Sequence, residues 1–594
     1  MCERILNYTV WTTPFPFALW SRAPCSAPTR LIGSRTASAS RRSLSPELLK
    51  RLRESKEYAF YTEVFCRIPE ALFTELYADA PASRPNAPVN VLIGAMILQH
   101  MNDWTFEELL DRVAFDLKVR AALGLWSLDE EPFCRATLFN FQRRLRDWMA
   151  QSGQDKFQAV FDHLSEDALE RFDLKGEIQR CDSTQLGSNL REYTRIELLV
   201  EVALRMWRVL GEADQAEHQG WFAPYVEAKT SGQFVHRLRG SELRAALERL
   251  GQLYAWMCDA LETGYGSREI HGIVRRVFAE QFTRVEEKIV VRAGKEIGSD
   301  SLQSPDDPTA TYHKKEDEGY HGFVLHATET ADPAEELRLI TDVAVAPNNQ
   351  DDGGILHDRL LEMHRKTPGL RELHTDGTYG SAENDKLEAA LGIAAVQTGI
   401  CGITPQAPMR IERDETGFLH VRCAAGHTVP GQLAQLHYKA EFAAAACAGC
   451  AMAAVCPAKH RSHGRTFYFE EADVLRQARH RRIETLPEER RTLRANVEAT
   501  MRQFKAPCRN GKLRTRGLCA ARQYGFLRAI AINFGRIYRY LSRRSRPPHH
   551  PATAWPQRAY AALQSASGIL ACIRYRISIR ETWTRPISLV LALH

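Results

Sequence analysis

The sequence predicts an α/β core that carries long insertions and follows an all-α domain. Residues 50–150 show helical periodicity without strand-like segments. Further along the chain, short apolar segments typical of strands are separated by long helical stretches. At about 100–200 residues per module the chain corresponds to a few modules, and its 44% hydrophobic residues suffice for a buried core.

Residues 1–46 differ in composition from the rest of the chain, because Glu3 is the only acidic residue before Glu47. An apolar and aromatic stretch followed by Ser, Arg and Pro is partly typical of a targeting peptide. Residues added by a start codon upstream of the true one have the same appearance. We favour this second interpretation and expect 1–46 to be a disordered or spurious extension.

The all-α domain is predicted over residues 50–150. Ser45-Pro46-Glu47 is a typical helix start, with Ser45 as the N-cap, and Val91–His100 predicts a buried helix. Thr137–Leu145 predicts a short helix that begins with a Thr cap and carries Arg143 and Arg144. Short helices ending in a basic helix are typical of helix-turn-helix DNA readers, although a plain helical bundle explains the pattern equally well.

Five segments predict the strands of the core. A strand over 176–185 ends in Asp182, and a short strand over 370–374 leads to Asp376 in a glycine-rich turn. The other three segments lie at 319–327, 338–346 and 392–398.

The remaining stretches predict helices and one irregular region. Residues 190–290 are mostly helical, and 400–470 are Ala- and Gly-rich and predict irregular structure. Residues 484–506 predict one strong helix, and 521–541 predict a second, basic helix.

A basic segment lies near the C-terminus. From Lys459 to Arg546 there are 23 Lys and Arg against 7 Asp and Glu, a net charge of +16, whereas the whole chain carries +6. Such a block is typical of proteins that bind a polyanion, with nucleic acid the first candidate. An ordinary solvated, Arg-rich surface is the alternative.

Two further observations exclude other classes of protein. The longest apolar run, Val89–Leu98, is much shorter than the roughly 20 residues of a membrane span, so we expect no membrane partner. The 14 cysteines are scattered apart from one cluster, which is too sparse for a disulfide scaffold and favours a reducing compartment.

Three acidic residues are candidates for metal-dependent phosphodiester chemistry. Asp182 and Asp376 follow predicted strands, and Glu498 lies in a predicted helix. Two divalent ions about 3.5–4 Å apart need hard oxygen ligands of this kind. Taken singly, an Asp after a strand is usually a turn former and a helical Glu is usually solvated.

The surroundings of these acids resemble the DDE transposases of bacterial insertion sequences. The first motif is Asp182-Ser183-Thr184, and the second is the strand-end Asp376-Gly377. The third is the Y-R-E-K helix motif of Arg, three residues, Glu, six residues and Lys, present as Arg494, Glu498 and Lys505. Arg491 stands where the motif has tyrosine, which puts the role of that tyrosine in doubt but not the metal ligand.

The resemblance covers residues 55–540 and extends beyond the three acids. Ser304-Pro305-Asp306-Asp307 resembles the segment that precedes the second strand in one branch of the family, and 60–145 resembles its N-terminal helical domain. Asn533 stands where a late helix of the family often has asparagine.

The resemblance implies an RNase H-like (retroviral-integrase) catalytic core over 176–540, with large helical and Cys-bearing insertions, and an all-α N-terminal domain. The insertions are expected at about 190–300 and 400–480, and 547–594 is a tail of unknown role. It also implies that the three acids are catalytic and bind Mg²⁺ or Mn²⁺, and that Arg494 and Lys505 hold DNA. A structural ion pair between Arg494 and Glu498 is the alternative for that pair.

The cysteine cluster predicts a structural zinc site. Cys447, Cys450 and Cys456 follow the pattern C-x2-C-x5-C, and Cys423 is the upstream candidate for a fourth ligand, with His427 as its substitute. Packing of small residues in an Ala-rich helix is the alternative. Thiolates suit zinc rather than magnesium, so we do not expect this site to be the catalytic one.

Several basic residues are candidates for contact with the DNA backbone. Besides Arg143 and Arg144, they lie in the predicted loop 509–516 as Arg509, Lys512, Arg514 and Arg516. Each phosphate that such a residue neutralises is expected to add about 0.9 to the salt slope of binding to duplex DNA.

These observations favour a transposase that binds the terminal inverted repeats of its element, cleaves there and joins the ends to target DNA. We expect a homodimer on double-stranded DNA, located in the cytoplasm with the bacterial nucleoid. One alternative is an RNase H-like nuclease that cuts without joining. Another is a catalytically decayed or domesticated protein that only binds DNA.

Overall fold

The computed structural model describes residues 44–77, 87–126, 133–286, 288–315, 317–399, 406–435 and 437–544. Nearly all of the predicted extension at 1–46 and all of the tail at 547–594 lie outside these residues. The chain divides into two compact units, 1–537 and 538–594. Of the second unit, the structure describes only the end of one helix.

The N-terminal part of the described chain is helical. The helices are α1 Pro46–Arg53, α2 Lys56–Glu63, α3 Val89–Asn102, α4 Phe106–Phe115, α5 Leu117–Ala122, α6 Arg135–Ser152 and α7 Lys156–Arg171. As predicted, Ser45 caps α1, and its hydroxyl accepts a hydrogen bond from the Leu48 N–H. Helix α3 is buried along most of its length, as its apolar sequence predicts. Helix α6 is longer than predicted and begins at Arg135, so Thr137 does not cap it.

Strand β1 Ile178–Gly187 precedes a second group of helices. They are α8 Arg195–Val209, α9 Glu212–Glu227, α10 Ser231–Arg237, α11 Leu243–Ala260, α12 Glu262–Tyr265 and α13 Glu269–Gln281, followed by the hairpin of β2 Phe282–Val285 and β3 Lys288–Val291. These helices share a separate hydrophobic core that includes Leu199, Leu250 and Tyr254. The buried Tyr254 hydroxyl donates to the Leu199 carbonyl at 2.8 Å, so this core satisfies its own polar group.

The next segment completes the main sheet. Its elements are β4 Thr311–Lys315, β5 Glu318–Thr330, β6 Ile340–Pro347, α14 Asp352–Lys366, β7 Glu372–Thr375, α15 Ala382–Leu391 and β8 Ala394–Gln397. Strand β1 is central: it pairs antiparallel with β5 and parallel with β7, which pairs parallel with β8. Strands β4 and β6 pair antiparallel with β5. The result is a mixed sheet with both faces available for helices.

Residues 406–470 form a second sheet, so the prediction of irregular structure there is wrong. The strands are β9 Arg410–Arg413, β10 Leu419–Arg422, β11 Thr428–Ala434, β12 His437–Ala443, β13 Lys459–Arg461 and β14 Gly464–Phe469, with the short helix α16 Ala444–Cys447. All neighbouring strands pair antiparallel. Alternate residues such as Ile411, Val421 and Phe442 face one core, which is the pattern of a sheet with one solvated face.

The C-terminal helices are α17 Glu471–Thr485, α18 Glu488–Arg491, α19 Val497–Lys505 and α20 Leu518–Arg544. The single helix predicted over 484–506 is therefore wrong. The chain breaks at Leu486, which is extended because Pro487 disfavours the helical conformation of the residue before it. In α20 the amide of Asn533 pairs with both the N–H and the carbonyl of Ile340, each at 2.8 Å, and so caps the start of β6.

None of the helices among the described residues is long and apolar enough to cross a membrane.

Glu388 on α15 is a buried acid whose pKa is raised to about 8, mainly by burial and then by repulsion from Asp385, against partial opposition from Arg479 and Arg482. The group is therefore largely protonated in the folded protein at neutral pH. Since its ordinary pKa is 4.5, its contribution to stability is fully present below that pH. The contribution is lost as the pH rises from there through about 8.

We predict that Glu388→Gln, which preserves the shape of the neutral acid, raises the melting temperature by a few degrees at pH 8.5 and leaves it nearly unchanged at pH 5. Glu383→Gln, an exposed change on the same helix, is the control and is expected to do neither. Thermal unfolding followed across this pH range measures the effect. An equal shift at both pH values contradicts a neutral Glu388.

Candidate active site

The two aspartates come together because of the register of the main sheet. Strands β1 and β7 pair as far as Arg180 and His374. Extending that register by two residues puts Asp182 level with Asp376, which directly follows β7. The prediction that this strand ends at Asp182 is wrong. Strand β1 continues to Gly187, because it pairs with the long strand β5 up to Gly322. Asp182 therefore lies within a strand, at the point where β7 leaves it.

Each aspartate uses one carboxylate oxygen locally and presents the other to the site. The Oδ1 of Asp182 accepts from the Ser183 N–H at 2.9 Å, and the Oδ1 of Asp376 accepts from the Gly377 N–H at 2.5 Å. Both Oδ2 atoms contact Arg494: its Nη2 lies 3.1 Å from that of Asp182 and 3.5 Å from that of Asp376. One guanidinium nitrogen thus bridges the two carboxylates.

The electrostatics of the site follow from this arrangement. Burial raises the pKa of Asp182, opposed by Arg494 and the Ser183 N–H and reinforced by Asp376. Burial disfavours the charge of Arg494, but the two aspartates outweigh it and raise the pKa of its guanidinium. The positive charge of Arg494 therefore lies between the carboxylates of Asp182 and Asp376.

Glu498 lies in the first turn of α19, four residues after Arg494, but its carboxylate does not join the two aspartates. Its side chain is 53% exposed, and its Oε2 lies 3.9 Å from Arg502. The alternative ion pair of Arg494 with Glu498 is not what the structure shows, because Arg494 contacts the aspartates instead. Among the described residues, the three acids do not present oxygens within 4.8 Å of one another.

A buried network attaches α19 to the sheet. Glu329 of β5 is almost fully buried and receives Arg180 of β1 at 2.7 Å and Arg536 of α20 at 2.7 Å. The hydroxyl of Thr500, on α19, donates to its Oε2 at 2.7 Å. Arg180 also donates to the carbonyl of Leu493, next to Arg494, at 2.8 Å. Through Arg180 and Thr500, the carboxylate of Glu329 therefore holds the chain both before Arg494 and after Glu498.

The sequence did not predict this network, nor the part played by Asp307. Asp307 is buried and accepts from the Ser188 hydroxyl at 2.5 Å and from the Gly517 N–H at 2.8 Å. It therefore joins the residue after β1 to the residue before α20. The Ser-Pro-Asp-Asp segment was visible in the sequence, but a local turn signal accounts only for the hydrogen bond that Asp307 also accepts from the Thr309 N–H at 3.1 Å.

The predicted cysteines come together at one side of the second sheet. All four, together with His427, line a cavity of about 30 Å³. Burial raises the pKa of the Cys447 thiol, and the other three thiols raise it further while Arg465 lowers it. No three of these side chains bring their ligand atoms within 4.8 Å of one another among the described residues. The donor types fit zinc, but the sulfur atoms lie farther apart than in a closed tetrahedral site.

Several of the predicted DNA-contacting residues already have partners within the chain. Lys512 pairs with Glu192 at 2.8 Å, Arg514 with Asp103 at 2.9 Å, and Arg516 with Asp306 at 3.5 Å. These three are therefore part of the contacts between the loop and the rest of the chain.

The other predicted contact residues lie at the surface. Arg143, Arg144, Arg509 and Lys505 are exposed. Arg143 donates to the Asn140 side chain at 3.1 Å, and Arg144 lies over the ring of Tyr77 at 5.0 Å. These contacts leave the two arginines at the surface of α6.

One group of possible metal ligands lies outside the predicted sites. Asp214, Glu217 and His218 bring their ligand atoms within 4.8 Å on α9, with Glu217 exposed. Asp214 already accepts a hydrogen bond from the Tyr265 hydroxyl. We assign no function to this group, since exposed acidic groups of this kind are common.

Comparison with known proteins gives two family matches. Residues 422–538 match the family described as "Transposase DDE domain", and residues 47–144 match the family described as "Transposase domain (DUF772)". Together the two matches indicate an insertion-sequence DDE transposase. This family implies an RNase H-like core, a polynucleotidyl transferase activity, divalent metal ions and DNA as the partner, and the mixed sheet is consistent with that core.

The DDE match covers only part of the predicted catalytic site. The DDE match includes Arg494, Glu498 and the cysteine cluster, whereas Asp182 and Asp376 lie outside it. The Y-R-E-K subtype stays a prediction. Searches of curated proteins and of solved structures gave no significant match.

We predict that Glu329→Gln destabilises the transposase, because two guanidinium groups then lose their buried counter-charge, at a cost of about 3–5 kcal/mol. The expected result is a lower melting temperature together with faster hydrogen exchange in Val497–Lys505. Glu471→Gln, which removes an exposed ion pair with Arg413, is the control and is expected to cost about 1 kcal/mol or less. Unchanged exchange in α19 contradicts an anchoring role for Glu329.

Proposed function

We propose that this transposase binds the terminal inverted repeats of its insertion sequence and carries out metal-dependent cleavage and strand transfer there. Asp182, Asp376 and Glu498 are the proposed catalytic acids. The observation that supports this most is the convergence of both aspartate Oδ2 atoms on one positively charged nitrogen. Two carboxylates that face one cation are the start of a site for divalent ions.

The residues fit Mg²⁺ or Mn²⁺ by the chemistry of their donors. Carboxylate oxygens are the ligands that these ions prefer, and Arg494 occupies the place of a cation shared by both aspartates. Glu498 follows one helical turn after Arg494, on a side chain that is half exposed and has room to turn toward the site. When bound, the metals supply an activated water or 3′-hydroxyl and stabilise the leaving oxygen.

The residues of the chain have separate tasks in this proposal. Asp182 is held rigidly within β1, whereas Asp376 begins a turn and is more exposed, so the first fixes the site and the second can adjust to the substrate. Lys505, two turns after Glu498 and exposed, is proposed to hold a DNA phosphate. Arg143, Arg144 and Arg509 are proposed to hold the DNA backbone elsewhere.

Zinc is proposed to have a structural role in the second sheet. Cys447, Cys450 and Cys456 supply three ligands, and either Cys423 or His427 the fourth, since both line the same cavity. Binding would draw these side chains together and so fix the turn between β10 and β11 against α16. We further propose a homodimer that holds two element ends, acting on target DNA in the cytoplasm at the nucleoid.

We predict that Asp376→Asn and Glu498→Gln each lower cleavage of a labelled duplex carrying the element's ends by at least about a hundredfold. Measured in EDTA, both are expected to leave DNA affinity within a few-fold, because the phosphate-binding residues stay intact. Glu415→Gln, which removes an exposed acid between β9 and β10 of the second sheet, is the control and is expected to cleave normally. The assay uses purified full-length protein with Mg²⁺ or with EDTA.

The products of this assay distinguish the alternatives. Metal-dependent nicks at the repeat boundary followed by joined products support a transposase in full. Scattered nicks without joining favour a nuclease, and binding without any cut, even with Mn²⁺, favours a DNA-binding relic. Normal cleavage by both acid variants contradicts the assignment of these residues.

We also predict that Cys450→Ser lowers both the zinc content and the melting temperature of the purified protein, because it removes one thiolate ligand. Elemental analysis gives the zinc content directly. Cys66→Ser, at an exposed cysteine of the N-terminal helices, is the matched control and is expected to keep zinc at the wild-type level. Wild-type protein without zinc means that the cluster is ordinary packing.

A further inference from the structure

We infer that Arg494 occupies the metal-binding oxygens of Asp182 and Asp376 in the DNA-free protein, and that a DNA phosphate draws Arg494 away from them. We call this contact of Arg494 with the two aspartates the lock. This inference rests on the proposed function, because it takes Asp182 and Asp376 as the metal ligands. It adds a coupling between DNA binding and metal loading. Arg494 is then a positioning residue with two alternative partners.

The geometry of Arg494 is that of a stand-in for a metal ion. A single nitrogen, Nη2, contacts the outward oxygen of both aspartates, at 3.1 and 3.5 Å. The remaining oxygen of each aspartate is already occupied by a backbone N–H. A divalent ion that binds both carboxylates through their outward oxygens takes the position that Nη2 of Arg494 holds. The guanidinium and the ion therefore exclude each other.

Arg494 cannot leave by losing its proton, because an arginine keeps its charge throughout the physiological pH range. It has to move. The pair is also partly withdrawn from water, with side-chain exposures of 17% for Arg494 and 14% for Asp182. Salt therefore screens this contact less than it screens an ion pair at the surface.

The contact is nevertheless weaker than an arginine can make. Arginine binds a carboxylate best through two parallel N–H donors, whereas here one nitrogen is shared between two acids. The Nε of Arg494 is buried and has no hydrogen-bond partner among the described residues. A phosphate that accepts from two nitrogens at once would satisfy the guanidinium better than the two aspartates do.

The movement is confined to the side chain. Arg494 begins a single turn of 3-10 helix, Arg494–Asn496, directly before α19. The carbonyl of the preceding Leu493 is held by Arg180, and Thr500 on α19 is held by Glu329. With the backbone fixed on both sides, the guanidinium swings on its own side chain from the aspartates to a phosphate.

The consequence is thermodynamic coupling. DNA that draws Arg494 away raises the affinity of the aspartates for divalent ions, and bound ions raise the affinity for DNA by the same factor. Typical couplings of this kind amount to about 5–150-fold. The DNA-free protein would then hold little metal.

Calorimetric titration of the DNA-free, full-length protein with Mn²⁺ tests this inference. We expect Arg494→Gln to bind Mn²⁺ about tenfold or more tightly than the wild type. Arg476→Gln removes an equal charge from an exposed pair with Asp473 and is the control, with unchanged affinity expected. Arg494→Lys is a second variant, and its shorter reach is expected to give an intermediate affinity.

A further variant distinguishes a failure of the lock from a failure of the proposed metal site. Asp376→Asn is expected to abolish this Mn²⁺ binding, with or without Arg494→Gln. If it does so while Arg494→Gln and Arg494→Lys bind as the wild type does, the lock is wrong and the proposed site stands. If Asp376→Asn leaves Mn²⁺ binding unchanged, the site assignment itself is wrong, and the lock is wrong with it.

Discussion

Glu329 carries a carboxylate into the interior of the core, where a full charge is tolerated only if neighbouring groups compensate it. Arg180, Arg536 and Thr500 do so, and they come from β1, α20 and α19, which are far apart in sequence. One buried acid thus decides how the helix with Glu498 lies against the strand with Asp182. A buried ion pair of this kind adds little net stability over apolar packing, but removal of one partner is costly. Its value here lies in fixing one geometry.

Ion pairs within the chain also change how the basic C-terminal segment, Lys459–Arg546, is interpreted. Its net charge of +16 suggests a wide surface for a polyanion. In the folded chain, however, Lys512, Arg514, Arg516 and Arg536 each pair with an acid outside the segment. Part of the apparent excess therefore neutralises acids of other segments. What remains for DNA is a smaller set of exposed residues, among them Lys505.

Local sequence signals predicted the strands and helices better than the site. The core strands follow from runs of apolar residues, and Asp376 from the turn after its strand. The second sheet was missed because its strands are only three to seven residues long, and because β11, β12 and β14 contain Ala or Gly, which weakens the alternation there. Asp182 was expected at the end of a strand over 176–185, whereas the strand continues past it through Ser183-Thr184-Gln185 to Gly187. That continuation is extended only through pairing with β5. The bridge from Arg494 spans 312 residues of sequence, and no local pattern specifies it.

The family match and the sheet register support the site in different ways, and neither is sufficient alone. The DDE match reaches Arg494 and Glu498 but begins after both aspartates. The parallel pairing of β1 with β7 is independent of that match, and it brings Asp182 and Asp376 level with each other. Arg494 joins the two lines of support, because it lies inside the matched region and contacts the two residues outside it. An arginine kept between two acids needs a reason other than stability, since a buried charge cluster is a poor way to stabilise a fold. A pair of acids whose negative charge must be partly neutralised until DNA arrives supplies that reason.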